Sequence, residues 1–441
     1  MISSQLGCVW CVRQASLASF GEKWLNSCHS GSVMHCMKPL LHRWLPLGCL
    51  ILLSWGGIGL DSSAASHSTA ATGICVKVEV YRNLILIPVE LENGTSCVFL
   101  LDTGAATSIV DTRVADKLNI SIHGTAKMRG VGGEVDGQQV RPQFLRVGTI
   151  RLERPTLVSL PMSGVSAGLG REIDGLLGWD ILRRYVVEID YAAARVTFHE
   201  SAEFNPPSDV ESIPLTDEIT PLIRAHLLFA NHDPAGGLFQ LDTGFSSAIR
   251  VNRDFTDRNK LLQAAGATVE DQAIGTGGTE SIRRGRAVGL QCGRFVISHP
   301  IISFYRERKS TPGGERSIGN LGGEFLRRFK VTLDAGGQRL WLEPTSALTQ
   351  MDELDMTGLR LVAAGSGLQT VLVSQVLGGS PAARAGIRNG DELTRVNGQP
   401  ADKLGLEGIL ALGRSHGGEF VVEYRRKGRT NSVTLKLSRQ I

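Results

Sequence analysis

Cysteine is scarce where a folded domain would use it. Five of the eight cysteines stand in the first fifty residues, and only Cys75, Cys97 and Cys292 follow. An odd count over that length excludes a cysteine-stapled scaffold. A Cys75–Cys97 bridge between neighbouring strands and three buried thiols both stay open. Aromatic residues make up only 6% of the chain, and few accompany the basic ones, so there is no stacking platform for bases. Excess charge is small as well. Net charge is +4, too little to suggest a nucleic-acid partner. The ten histidines are scattered without metal-ligand spacing. There is one long apolar run, Trp44–Leu60.

That run organises the amino terminus. With Lys38, His42 and Arg43 before it and Ser62–Ser66 after it, residues 37–66 read as a secretory signal cleaved near Ala64 or Ala65. Seventeen residues are also just enough for an uncleaved membrane anchor. Residues 1–65 are therefore expected to be upstream sequence plus signal or anchor, and the protein secreted or periplasmic, with a possible membrane tether through 44–60. Cys8-x-x-Cys11 has zinc-ligand spacing, but upstream sequence before a start at Met34 or Met37 accounts for it better.

What remains, 42% apolar overall and 20% charged, is long enough for two or three domains. Its centre is Leu100-Leu101-Asp102-Thr103-Gly104-Ala105, two apolar residues running into a turn with one carboxylate. The same stretch returns 140 positions later as Gln240-Leu241-Asp242-Thr243-Gly244-Phe245. Gly130-Val131-Gly132-Gly133 returns as Gly275-Thr276-Gly277-Gly278, and Gly175-Leu176-Leu177-Gly178 returns as Gly319-Asn320-Leu321-Gly322. Three signals in one order at nearly constant spacing indicate an internal duplication. Val76, Val78 and Val80 alternate with charged residues as a half-buried strand does, and Asn93-Gly94 marks a hairpin. Thr112–Leu118 is the one clear helix of the first copy. Gly164–Gly168 matches G-x-S-x-G, but Pro161 before it and Gly170 after it deny the strand and helix that a nucleophile elbow needs, so a flexible loop is expected. Asn231–Gly237 reads as a loop, and the run Arg283-Arg284-Gly285-Arg286 as a solvated face.

The repeats resemble the two lobes of an aspartic protease, each close to a retropepsin-type unit. The resemblance covers residues 74–204 and 210–345 and implies two homologous acid-protease-type β lobes. It implies catalytic Asp102 and Asp242. It also implies supporting loop residues Thr103, Gly104, Thr243 and Gly244, with the threonines bonding across to the other lobe. The glycine hairpins at Gly130, Gly132 and Gly133 and at Gly275, Gly277 and Gly278 become two flaps, or one flap and one structural hairpin. The chemistry such a pair supports is hydrolysis of a peptide or protein substrate by an activated water, without cofactor or metal. Both acids lie in one chain, so a monomer suffices. The sequence departs from the pepsin pattern at Ala105 and Phe245, where Ser or Thr is usual, at Asn320-Leu321-Gly322, and in having no flap tyrosine.

Residues 355–441 resemble a bacterial-type PDZ domain through Gly379-Ser380-Pro381-Ala382-Ala383, Asn389-Gly390-Asp391 and Val396-Asn397-Gly398. That implies a small α+β unit that binds carboxyl-terminal peptides, with Gly358, Leu359, Arg360 and Leu361 as the carboxylate loop. Residues 356–441 hold twelve Lys and Arg against six Asp and Glu, which favours acidic tails. The fold class expected for the chain is mainly β. The competing functional class is a PDZ-containing binding protein whose lobes are catalytically idle.

Overall fold

The computed structural model describes residues 73–306, 316–415 and 417–441. The expectations for residues 1–65 lie outside the described residues. Among the described residues no helix is long and apolar enough to cross a membrane.

The first lobe is a sheet with Thr95–Asp102 near its middle. Leu84–Leu91 carries apolar residues toward both faces, and almost all of it is buried. It turns through Asn93 and Gly94, both at positive φ (56° and 72°), into Thr95–Asp102. Gly175–Gly178 runs parallel to Thr95–Asp102, with Leu176 beside Leu100 and Gly178 beside Asp102. Across the sheet the strands are Ser121–Gly130, Gly133–Arg141, Leu157–Leu160, Ile109–Asp111, Gly175–Gly178, Thr95–Asp102, Leu84–Leu91, Phe144–Val147 and Ile150–Glu153. The second lobe has the same order: Val269–Gly275, Gly278–Arg286, Ile301–Tyr305, Ile249–Val251, Ser317–Gly322, His232–Asp242, Pro221–Phe229, Gly289–Cys292 and Phe295–Ser298. Nine strands in one unusual permutation, twice, show the duplication in three dimensions.

A further sheet joins the lobes. Val186–Asp190 pairs antiparallel with Phe329–Asp334, Val187 lying opposite Leu333. Arg195–His199 and Ile74–Lys77 extend it on one side, and Arg339–Pro344 and Ile213–Pro214 on the other. Val187, Val196, Val331 and Leu333 are at most 1% exposed and belong to the same apolar cluster as both lobe interiors. Each such side chain contributes roughly 1.5–3 kcal/mol on burial, so the bridge holds the lobes, and the loops they carry, in a fixed relation.

Three local expectations are corrected. Residues 164–168 are helical: Ser163–Leu169 forms a short helix ended by Gly170 at φ 72°, whose N–H bonds Ser166 O. Ser166 is buried and accepts from Ile173 N–H, so it is structural and not a nucleophile. The expected loop Asn231–Gly237 is a tight turn at Asn231, and His232 already starts the strand to Asp242. Cys75, Cys97 and Cys292 are all free, and Cys75 is exposed, so neither the bridge nor the trio of buried thiols is present.

The carboxyl-terminal unit has its own core, including Leu359, Val373, Val396, Phe420 and Val422. Its strands run in the order Leu359–Ala364, Thr370–Val376, Glu392–Val396, Glu419–Arg426 and Arg429–Lys436. Pro381–Arg384 is a helix capped by Ser380 Oγ, which accepts from Ala383 N–H at 3.2 Å. Ala401–Leu412 is a longer helix, broken at Gly405 by φ 62°.

Candidate active site

Asp102 and Asp242 end the central strands of their lobes and meet across the lobe boundary. Each carboxylate is held by its own turn. Gly104 N–H and Ala105 N–H donate to Asp102 Oδ1 at 2.9 and 3.0 Å, and Gly244 N–H donates to Asp242 Oδ1 at 3.0 Å. A methyl group on Gly104 would fall inside the Asp242 carboxyl, and one on Gly244 inside the Asp102 carboxyl. Glycine therefore follows each threonine because the opposite acid occupies the space of a side chain.

The threonines lock the two turns together. Thr103 Oγ1 donates to Leu241 O and Thr243 Oγ1 donates to Leu101 O, each at 2.7 Å. In return Thr103 N–H and Thr243 N–H donate to the opposite hydroxyls at 3.0 and 3.1 Å. Both threonines are at most 1% exposed, so all four bonds lie in a dry setting where losing one leaves a costly orphan.

Burial, and then the charge of Asp242, push the Asp102 carboxyl up to about 8, against the lowering effect of its two N–H donors. Asp242 is also raised by burial, but Asn320 and then the Arg250 guanidinium pull it back. Asn320 Nδ2 donates to Asp242 Oδ2 at 2.5 Å. Neither Asn320 nor Arg250 is marked by the Asp-Thr-Gly pattern. The signal available in the sequence is their replacement of Leu176 and Ile109 of the first copy.

The two glycine hairpins reach over the acids and touch each other. Gly277 N–H donates to Val131 O at 2.9 Å, and a Cβ on Gly132, which sits at φ 91°, would collide with the Gly278 backbone. Both hairpins line one cavity of about 1040 Å3 together with Asp102 and Asp242. The structure thus brings Gly130, Gly132 and Gly133 against Gly275, Gly277 and Gly278, tip to tip. No tyrosine is needed in that contact, which is made by backbone.

The PDZ-like unit adjoins the same cavity through Leu359, Arg360, Leu361, Leu410 and Arg414. Its expected carboxylate loop is already engaged. Gly358 N–H donates to Asp355 Oδ2 at 3.1 Å and Leu359 N–H to Thr357 Oγ1 at 3.0 Å. Leu361 is buried in the unit's own core. Arg360 pairs with Asp271, a 1%-exposed carboxylate on the base of the second hairpin, which also pairs with Arg284. Arg284 is therefore not on a solvated face. The helix Ser163–Leu169 packs on Leu359–Ala364, the free edge strand of the unit, and Gly170 lies against Leu406 of its long helix.

Residues 87–181 match the family model described as aspartyl protease, and residues 372–426 match the one described as PDZ domain. No curated protein matches the sequence. Among solved structures, the aspartic proteinase from Irpex lacteus is 14% identical, with a TM-score of 0.44. The likeness covers 63% of this chain and 98% of that one.

Proposed function

We propose that this protein is an aspartic endopeptidase that acts as a monomer, with its PDZ unit binding substrate or regulatory peptides. The observation that carries the reading is two carboxylates, from two copies of one fold, facing each other beneath closed hairpins. Two like charges at such close range cannot both ionise at low cost, so the pair shares a proton. The ionised member takes a proton from a water as that water attacks the scissile carbonyl, and the protonated member donates to the carbonyl oxygen. The hairpins are suited to clamp an extended peptide and exclude bulk water. An idle scaffold would have no use for a half-buried acid pair whose proton affinity is raised at both members.

The test is digestion of a peptide library by the full chain across the pH range, with Asp102→Asn as control. Activity needs one acid charged and one protonated. With Asp102 held at about 8 and Asp242 raised, that window extends toward neutrality. Ala105 and Phe245 offer no hydroxyl donor to the charged form. The expected maximum therefore lies above the pepsin-like range of about pH 2 to 3. A maximum inside that range refutes the pH argument, and no cleavage at any pH leaves the binding-protein reading.

PDZ domains take a peptide as an added strand beside the carboxylate loop. Here the helix Ser163–Leu169 already packs on the edge strand, and the same helix lines the cavity through Val165, Gly168 and Leu169. A peptide docking there has to displace that helix, which links docking to the cleft. The unit's excess of basic residues favours acidic tails at low salt. Titrating the full chain with free-acid and amidated versions of one acidic peptide should show tighter binding by the free acid. Equal affinity, or none, removes carboxylate capture.

A further inference from the structure

The second lobe is not a copy of the first where it touches its acid. Register places Leu176 beside Leu100 in lobe one and Asn320 beside Gln240 in lobe two. Two apolar residues have become two amides, at 2% and 0% exposure. Buried amides persist only with partners, and these form a chain. Gln240 Nε2 donates to Gly104 O at 2.9 Å and to Thr220 Oγ1 at 2.8 Å. Asn320 Nδ2 donates to Gln240 Oε1 at 2.9 Å and to Asp242 Oδ2 at 2.5 Å. Asn320 Oδ1 has no partner.

The direction of this chain follows from one atom. The Gly104 carbonyl can only accept, so Gln240 must turn its NH2 toward it. The Gln240 oxygen then faces Asn320, which must answer with its own NH2. The same NH2 reaches Asp242. Asp242 thus has a donor on each oxygen, Gly244 N–H and Asn320 Nδ2, and an amide donor to a carboxylate favours the charged form. Arg250, 8% exposed and with its guanidinium stacked on Tyr305, adds to this, where the register of lobe one has Ile109. Asp102 differs. Both of its N–H donors go to Oδ1, leaving Oδ2 to hold a proton.

We propose that Asn320 is a positioning residue that keeps the negative charge of the acid pair on Asp242 and the shared proton on Asp102. This rests on the endopeptidase reading and gives each acid a role. Asp242 takes a proton from water while the water oxygen bonds to the scissile carbon, and Asp102 gives its proton to the carbonyl oxygen. In collapse the carbon–nitrogen bond breaks and the proton on Asp242 passes to the leaving amine. Asp102 recovers a proton from one hydroxyl of the tetrahedral intermediate, and one water has been consumed.

The experiment is a 13C-carboxyl NMR titration of the full chain without substrate, with the two signals assigned by their loss in Asp102→Asn and Asp242→Asn. Asp242 should carry the charge first on raising the pH, with Asp102 protonated well beyond it. Asn320→Leu, which installs the residue of lobe one, should raise the lower titration by about one to two pH units and carry the acid limb of kcat/KM with it. A structural role alone would lower stability without moving either. If Asp102 ionises first, or Asn320→Leu melts normally and shifts nothing, the proposal fails. Should Asn320→Leu not fold, the wild-type order of ionisation still decides it. The titration needs no turnover, so an inactive protein with the expected order would sink the peptidase reading alone.

Discussion

Asp102→Asn and Asp242→Asn are each expected to lower kcat/KM by at least about a thousand-fold, because each removes one half of a shared acid–base device. The fold should survive, and at neutral pH it should gain. Asp102 titrates at about 8 in the folded chain, raised by burial and by Asp242, against about 3.9 when unfolded. A carboxyl raised in this way binds its proton more tightly in the folded state. Its folded state is therefore favoured at low pH and loses stability as pH rises from about 4 through about 8, by up to about 1.4 kcal/mol per unit. Asparagine carries no such burden. The melting temperature of Asp102→Asn should match the wild type below about pH 4 and exceed it progressively up to about pH 8. Near-normal turnover in either variant, or a stability difference that ignores pH, would refute the coupled pair.

Cutting the clasp between the PDZ unit and the second hairpin is expected to have the next largest effect. Asp271 is 1% exposed and faces Arg284 of its own hairpin and Arg360 of the PDZ unit. Burial alone would raise this carboxyl, but the charges of Arg284 and then Arg360 outweigh it and hold it at about 2. Asp271→Ala leaves two partly buried guanidiniums without their shared anion and should cost about 3–5 kcal/mol at neutral pH. Arg360→Met keeps the Arg284 pair and should cost less. In both, hydrogen exchange should quicken along Leu359–Ala364 and Val269–Gly275. The folded pKa lies below the unfolded one, so the stabilisation is full above about pH 4 and is lost as pH falls through about 2. The gap between wild type and Asp271→Ala should close in acid. A variant within about 0.5 kcal/mol of wild type at pH 7 would show that the clasp is incidental.

Some of this molecule is written locally. Asn93-Gly94 turns the chain because both residues tolerate positive φ, whatever lies around them. Thr112–Lys117 is a helix capped by Asp111, close to the span that the sequence suggests. Ser380-Pro381 opens its helix as such a pair does, whereas the alternation of Val76, Val78 and Val80 is divided at Val78 between Ile74–Lys77 in the bridging sheet and Glu79–Tyr81 in the first lobe. The misses are equally physical. The segment 163–169 is rich in small residues and has no helix signature of its own. Its helix is held by packing on Ile274 of the second hairpin and on the PDZ unit. Arg284 looks like an ordinary surface cation, and Arg360 like part of a carboxylate loop, until the fold places Asp271 between them.

The sequence alone determined that one unit occurs twice, that each copy ends a strand in Asp-Thr-Gly, and that a PDZ-like unit follows. Those features depend on residues adjacent in the chain, or on the order of strands, which repeated motifs report directly. Only the tertiary structure decided that the two acids differ. Asn320 lies 78 residues from Asp242, and Gln240 lies 136 from the Gly104 carbonyl that sets the direction of the whole chain of amides. The sequence shows Asn320 only as a poor match to Leu176. Its meaning lies in being buried beside a carboxylate, where an amide has to find a partner and the partner it finds is the acid.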